Sequence, residues 1–273
     1  MPTDPAPDVL RLADALRRSA RGAVVFTGAG ISVASGVPSF RGTGGIWTRY
    51  DPAEYASIDA LHRDPEKVWG FLRELRRTLD AAVPNRAHEA IAHLETTGVV
   101  TNVITQNIDG LHQRAGNDRV IELHGSNRSI SCLGCARTFA RAEVEHLADD
   151  PVPSCPSCGG VLKPDVVLFG EQLPQAPFRR AEHALRHCDV LLVVGTSVEV
   201  FPAARLPELA RRHGASVWEI NPVAELPDVD GAIRGDAEVV LPALADALRP
   251  ARSWRTLPRM LRGLGAERWF ADD

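Results

Sequence analysis

The sequence predicts an α/β fold: a parallel sheet with helices on both faces, carrying a small second domain made of a zinc-ribbon insertion and a helical insertion. Three observations lead there. Runs that are apolar almost throughout, at 23–26, 99–104, 190–194, 216–220 and 239–241, alternate with helical spacing at 87–94, 181–185 and 203–212. Strands without polar alternation belong to a sheet buried on both faces. The first run leads directly into Gly28-Ala29-Gly30, and strand, glycine loop, helix is how a Rossmann-like sheet begins. Two segments, 38–79 and 126–163, break the alternation, and the second holds two Cys-x2-Cys pairs.

Taken in order, the first eight residues contain three prolines and read as a frayed arm. Leu10, Leu12, Ala13, Leu16 and Arg17 then follow helical spacing. The glycine loop after the first strand brings backbone N–H groups close to a phosphate, with glycine permitting positive φ and removing a Cβ that would block a pyrophosphate. The full fingerprint has a third glycine where this chain has Val33, so a nucleotide loop and a plain tight turn both stay open on this motif. Segment 38–79 begins SFRGTGGIW after its proline and closes with a helix from about 65 to 79, whose apolar face is Val68, Phe71, Leu72, Leu75 and Leu79. Polar turns follow two later strands, Gly195-Thr196-Ser197 and Asn221-Pro222. Together with the glycine loop they mark the carboxyl-end crevice where parallel sheets bind ligands.

Residues 105–158 hold the densest chemistry. Gln106, Asn107, Asp109, His112 and His124 lie between short apolar runs, and Cys132-x2-Cys135, nineteen residues, Cys155-x2-Cys158 follow. That spacing fits one tetrahedral zinc, and with four sulfur ligands no position stays open for water, so the metal is structural. Disulfides are the alternative. The chain starts without a charged-then-apolar leader and has no apolar run near 18 residues, which points to a reducing cytoplasm, no membrane partner, and metal binding. Cys188, ahead of 190–194, reads as a buried core thiol. His124, in Glu122-Leu123-His124-Gly125, is suited as a general base at neutral pH, although an isolated histidine is more often structural. His88, His93, His183, His187 and His213 read as packing or surface residues, and His112 is open between roles. Composition is that of a globular protein, 44% hydrophobic and 24% charged, with a net charge of −4 that gives no reason to expect nucleic acid.

The motifs GAGIS, GVPSFRG, TQNIDGLH, ELHG, the CxxC pair, VLFGE, GTSVEVFP and INP, in this order, resemble the sirtuin family of NAD-dependent protein lysine deacylases over about residues 9–248. The resemblance implies that Gly28, Ala29 and Gly30 hold the NAD pyrophosphate with Ile31 beside them. Phe40, Arg41 and Trp47 would belong to the loop that covers the cofactor. Gln106, Asn107, Ile108 and Asp109 would line the nicotinamide and ribose pocket. Gly195, Thr196, Ser197, Asn221, Pro222, Val223 and Ala237 would contact the phosphates and adenosine. Acyl-lysine would pass Val167, Phe169, Gly170 and Glu171 in a channel between domains. Its amide oxygen would displace nicotinamide, His124 would then deprotonate a ribose hydroxyl so that the sugar captures the acyl carbon, and water would complete the cleavage, yielding lysine, nicotinamide and O-acyl-ADP-ribose. Cys132, Cys135, Cys155 and Cys158 would hold the zinc.

The resemblance also implies a domain division: an arm at 1–8, a catalytic domain at 9–249, and a C-terminal extension at 250–273 with Trp254, Trp269 and five arginines. The large part would comprise 9–35, 81–125 and 165–248, and the small part 36–80 and 126–164. Sirtuins that prefer succinyl or malonyl lysine carry Tyr-x-x-Arg where an ungapped count places Leu72 and Leu75, which favours uncharged acyl groups here. Mono-ADP-ribosyl transfer, NAD hydrolysis and a non-catalytic NAD-sensing scaffold are the other functions compatible with the same site.

Overall fold

The computed structural model describes residues 6–40, 44–147, 150–224 and 226–249. The start of the proline-rich arm, Arg41 and the C-terminal extension fall outside them. The chain opens with helix α1 (Pro7–Arg18), proline taking the first helical position where its missing N–H costs nothing. The helix thus begins within the expected arm. It turns Val9, Leu12, Ala13 and Leu16 inward, whereas Leu10 is exposed.

Strand β1 (Ala23–Thr27) is buried at every position, and a 3-10 turn (Ala29–Ser35) follows its glycine loop. Three helices come next, α2 (Pro52–Tyr55), α3 (Ile58–Arg63) and α4 (Pro65–Ala81). Asp51, Ser57 and Asp64 cap them in turn, each side chain accepting a first-turn backbone N–H. The chain returns through α5 (Arg86–Thr96), β2 (Val100–Thr105), the short α6 (Leu111–Arg114) and β3 (Val120–Glu122). It then builds β4 (Gly125–Cys132), β5 (Thr138–Ala140) and β6 (Leu162–Val166). Helix α7 (Gln175–Arg186), β7 (Val190–Val194), α8 (Leu206–Arg212), β8 (Ser216–Asn221), β9 (Gly231–Arg234) and α9 (Ala237–Leu248) complete it.

The large sheet runs β3-β2-β1-β7-β8-β9, parallel throughout. Alternate residues of β1 serve opposite faces: Ala23 and Val25 join α1, α5 and α9 in one core, while Val24 and Phe26 join α7 and α8 in the other. β7 divides in the same way, with Leu192 on the first side and Leu191 and Val193 on the second. Burying each such side chain contributes about 1.5–3 kcal/mol, so these two strands must be apolar on both faces. Cys188 lies fully buried in the second core, as expected, and burial pushes its thiol up to about 11.

One expected strand is a helix. Residues 239–241 form part of α9, with Val240 and Leu241 buried and Val239 exposed. Two adjacent β-branched residues followed by Pro242 weaken the local helix signal, and packing against α5 and α1 overrides it. The sixth strand is β9, which buries only Ile233 among its four residues and offered no apolar run to read. The expected helix at 203–212 is a 3-10 turn (Ala203–Arg205) running into α8.

Helices α2–α4 and the antiparallel sheet β5-β4-β6 share a third core. Leu61, Val68, Trp69, Phe71 and Leu72 meet Ile130, Leu162, Val166 and Leu168 there. The indole N–H of Trp69 donates to the Leu162 carbonyl at 2.9 Å, which satisfies the polar end of a buried ring. Among the described residues, no helix is long and apolar enough to cross a membrane.

Candidate functional site

The strand order of the large sheet is that of a doubly wound fold, and its switch point lies where β1 meets β7. Loops from four adjacent strands converge at the carboxyl ends. Gly30 N–H donates to the Gly195 carbonyl at 2.9 Å, and Gln106 Nε2 donates to Thr196 Oγ1 at 2.8 Å. Asn221 Nδ2 donates to the Thr196 carbonyl at 3.1 Å. The structure revises why glycine is needed: neither Gly28 nor Gly30 has positive φ. A Cβ on Gly28 would stand 2.6 Å from Thr196 Cβ, and one on Gly30 2.7 Å from Gly195 Cα. The absent side chains make room for the neighbouring loop.

Asn107 ties the glycine loop to the second strand. It is 5% exposed, and its amide donates to the Gly28 carbonyl at 3.1 Å and to Ser32 Oγ at 3.2 Å. Ser32 Oγ donates to Asp109 Oδ2 at 2.8 Å, and Asp109 Oδ1 accepts from Leu111 N–H. Burial raises the Asp109 carboxyl, against those two hydrogen bonds. Asn107 Oδ1 is buried and has no hydrogen-bond partner among the described residues. A buried amide oxygen without a donor is costly, and a ligand bearing N–H or O–H groups would satisfy it.

Two histidines buttress this layer. His88 completes a capping box with Asn85, whose N–H donates to His88 Nδ1 at 3.3 Å. His112 Nε2 lies 3.0 Å from Thr27 Oγ1 and its ring 4.9 Å from that of His88. Both are fully buried, and desolvation lowers His88 to about 4 and His112 to about 3. His88 is therefore a packing residue, as expected, but one within the polar layer of the site. Ser32, Thr27 and Thr105 belong to that layer and received no role from the sequence. Ser32 sits inside GAGIS, five residues beyond the first strand, and only the fold brings it to Asp109.

His124 stands between β3 of the large sheet and β4 of the small one. Its Nδ1 lies 3.0 Å from the Gln106 carbonyl, which can only accept, so Nδ1 carries the proton and Nε2 keeps its lone pair. Burial lowers its pKa, against the hydrogen bond to Gln106. The His124 carbonyl accepts from Val167 N–H at 2.9 Å, which ties the start of segment 167–171 to the His124 backbone. Gly125, with φ of 75°, has no alternative here: a Cβ would lie 1.9 Å from the Asp165 carbonyl oxygen.

An aromatic wall faces this junction. The Trp47 ring lies 5.4 Å from Phe40, 6.0 Å from Phe71 and 5.8 Å from Phe169. Leu72 is buried in the same cluster, and Leu75 and Ile108 pack against it. Other sequence-predicted residues have different places. Ile31 is 1% exposed, its N–H donates to the Gly28 carbonyl, and its own carbonyl accepts from Asn85 Nδ2. It belongs to the core and has no spare polar group for a ligand. Ala237 is buried at the start of α9 in that same core, while Ser197, Pro222 and Val223 are exposed at the loop ends. Gly170 is exposed beside Glu171, whose Oε2 accepts from Lys163 Nζ at 3.1 Å and Leu168 N–H at 2.7 Å.

The four cysteines form a cluster with all sulfurs within 4.8 Å of one another and no disulfide. Cys132 and Cys158 sulfurs are 3.5 Å apart, and those of Cys135 and Cys155 are 3.9 Å apart. A tetrahedron with Zn–S near 2.3 Å has edges of about 3.8 Å, so the cluster fits zinc. Gly134 and Cys135 N–H groups both point at Cys132 Sγ, at 3.3 and 3.4 Å, and favour thiolate. A zinc held by these four sulfurs supplies a structural cross-link.

Metal analysis should therefore find one zinc per chain, and Cys132→Ser should lower the melting temperature sharply or give insoluble protein. An unchanged melting temperature in metal-free protein would contradict the structural role. A second outcome concerns pH. His88 and His112 bind protons more weakly folded than unfolded, so stability is complete above their ordinary value of 6.5. It declines as pH falls toward about 4 for His88 and about 3 for His112, each histidine costing about 1.4 kcal/mol per pH unit below 6.5. Urea titrations from pH 7 to 4.5 should show this loss, with a shallower slope in His88→Gln.

Comparison with known proteins places this architecture. The Sir2 family model matches residues 28–202. NAD-dependent protein deacylase 2 of Archaeoglobus fulgidus is 47% identical over 250 residues, covering 90% of this chain and 98% of its own. A Sir2 histidine-to-alanine variant with a deacetylated p53 peptide and 3'-O-acetyl ADP-ribose superposes with a TM-score of 0.81 at 36% identity, covering 86% and 96% of the two chains. Sir2Af2 bound to a myristoylated histone peptide gives 0.74 at 41%, covering 88% and 96%. Both the matched span and the identity lead to one conclusion: the chain is a member of the Sir2 family.

Proposed function

We propose that this protein is an NAD-dependent protein lysine deacylase that moves the acyl group of a lysine side chain to ADP-ribose and releases nicotinamide. The observation that carries the reading is His124, locked by the Gln106 carbonyl with Nε2 unprotonated between the large sheet and the small one. Bound NAD supplies an electrophilic ribose carbon, a nicotinamide leaving group and the hydroxyl that accepts the acyl group. The chain's residues do the rest. Gly28, Ala29 and Gly30, with the loop at Gly195, Thr196 and Ser197, hold the phosphates. Asn221, Pro222, Val223 and Ala237 bound the adenosine side.

Asn107 offers its unpartnered Oδ1 to a donor on the nicotinamide half, with Gln106, Ile108 and Asp109 around it. Phe40, Trp47 and Phe169 exclude water from the reacting centre. Acyl-lysine enters past Val167, Phe169, Gly170 and Glu171, His124 Nε2 removes the proton of a ribose hydroxyl so that the oxygen can take the acyl carbon, and water completes the cleavage that frees the lysine. The solved relatives holding a p53 peptide or a myristoylated histone peptide support a peptide substrate for this chain. The reducing cytoplasm is the compartment in which four thiols stay available for zinc.

The test is product analysis on an acetyl-lysine peptide with NAD. O-acetyl-ADP-ribose is expected. ADP-ribose attached to protein would identify a transferase, and free ADP-ribose without deacetylation would identify a hydrolase. His124→Ala should reduce turnover by at least 10²–10⁴-fold, roughly what a general base contributes, with folding intact by circular dichroism. Because burial lowers the His124 pKa from 6.5, kcat/KM should stay level below pH 6.5 and fall only on further acidification. A folded mutant with near-normal turnover would remove His124 from the role.

The acyl pocket favours uncharged groups. Leu72 is buried among Trp69, Phe71 and Leu168, and Leu75 packs beside it. Two of the three nearby arginines are engaged elsewhere: Arg73 donates to the Asp150 and Pro151 carbonyls, and Arg76 pairs with Asp80 at 3.5 Å. A succinyl carboxylate would enter without a cation, and breaking one side of a buried pair costs about 3–5 kcal/mol. Steady-state kinetics should give a succinyl kcat/KM well below the acetyl value, with long apolar chains accepted. Leu72→Tyr with Leu75→Arg should gain desuccinylation. A succinyl value equal to the acetyl one in the unaltered protein would show that an arginine reaches the pocket.

A further inference from the structure

Beyond the acyl-lysine channel lies a second cavity of about 430 Å³. Glu171, Gln172 and Leu173 line it together with Gln175, Phe178 and Arg179 from the first turns of α7 and with Pro202. It continues from the site by chain geometry. Val167 N–H is bonded to the His124 carbonyl, and Glu171, four residues on, is already a wall of the cavity. At about 3.3 Å per residue that run spans at most ~13 Å. Because Glu171 N–H turns back to the Leu168 carbonyl, the real separation is shorter. A peptide whose acyl-lysine reaches His124 can therefore place a side chain two to four positions away over this cavity.

The lining indicates what that side chain is. Leu173, Phe178 and Pro202 supply apolar surface, and the exposed ring of Phe201 precedes Pro202 in the chain. The charge of Glu171 is spent on Lys163 at 3.1 Å. Arg179 is exposed, donates to Gln175 Oε1 at 3.1 Å, and has no carboxylate partner among the described residues. The lining thus combines apolar surface with one positive charge that no carboxylate among the described residues offsets.

We propose that this cavity is a substrate-recognition subsite that takes a large apolar side chain flanking the acyl-lysine, with Arg179 selecting against lysine or arginine at that position. The inference rests on the deacylase reading. Its test is a set of acetyl-lysine peptides with alanine at every flanking position, each position replaced in turn by Leu, Lys or Glu. One position two to four residues from the acetyl-lysine should show Leu above Ala by about tenfold in kcat/KM, carried by KM, as expected for burying a few methylene groups. Lys there should fall below Ala, and Arg179→Glu should reverse that order at this position alone. Gln175→Trp, placed to fill the cavity from an exposed helix start, should erase the Leu gain, with its melting temperature confirming the fold.

A profile flat within about twofold at every position overturns the subsite, as does a Leu gain that survives Gln175→Trp. The alanine-flanked peptide separates the two levels of failure. Turnover on it with a flat profile removes the subsite alone, whereas no NAD-dependent turnover on any peptide removes the deacylase reading and the subsite with it.

Discussion

Everything at the ligand-binding end of this molecule depends on two stretches of bare backbone meeting at the switch point of the sheet. Gly28 and Gly30 after β1 press against Gly195 and Thr196 after β7 so closely that a single Cβ on either glycine would overlap its neighbour. A parallel sheet sends one connection to each side at that point, and a crevice opens between them. Here the crevice is narrowed by a direct N–H to carbonyl bond across it, from Gly30 to Gly195. Asn107 and Gln106 are then fixed against the same two loops from the next strand. A larger residue at position 30 would move the loop, and with it the groups that present Asn107 Oδ1 to a ligand.

The His124 imidazole depends on this arrangement indirectly. Its tautomer is set by the carbonyl of Gln106, whose side chain is set by Thr196. A continuous series of short polar contacts therefore runs from the glycine loops to His124. On its other side the His124 carbonyl anchors Val167, the first residue of the segment along which a substrate chain would lie. The Gln106 loop and the segment that begins at Val167 thus share one residue, His124, as their reference point.

How far the sequence could be read follows from which signals are local. β1 and β7 were visible because strands buried on two faces are apolar throughout, and the zinc ligands were visible because thiolate geometry restricts their spacing. β9 was not, since an edge strand with one buried residue carries no pattern. Residues 239–241 misled because their side chains favour a strand locally while α1 and α5 hold them in a helix. The site divides similarly. His124 and Asn107 were legible from their motifs, whereas the Ser32 to Asp109 bond joins residues 77 apart. The packing reason for Gly28 depends on a loop more than 160 residues later. His88 looked like an ordinary helix residue, and only the fold reveals what its ring supports.

The third core has a consequence for synthesis. Its helical half, with Val68, Trp69, Phe71 and Leu72, is made well before its zinc-bearing half: Cys132 follows Leu72 by 60 residues, and Cys158 follows later still. At about 5–20 residues per second, the apolar face of α4 leaves the ribosome several seconds before the sheet that covers it can close around its metal. During that interval the face of α4 that will meet the β4 and β6 side chains is uncovered, with only the earlier aromatic residues Trp47, Tyr50 and Tyr55 available to pack against it.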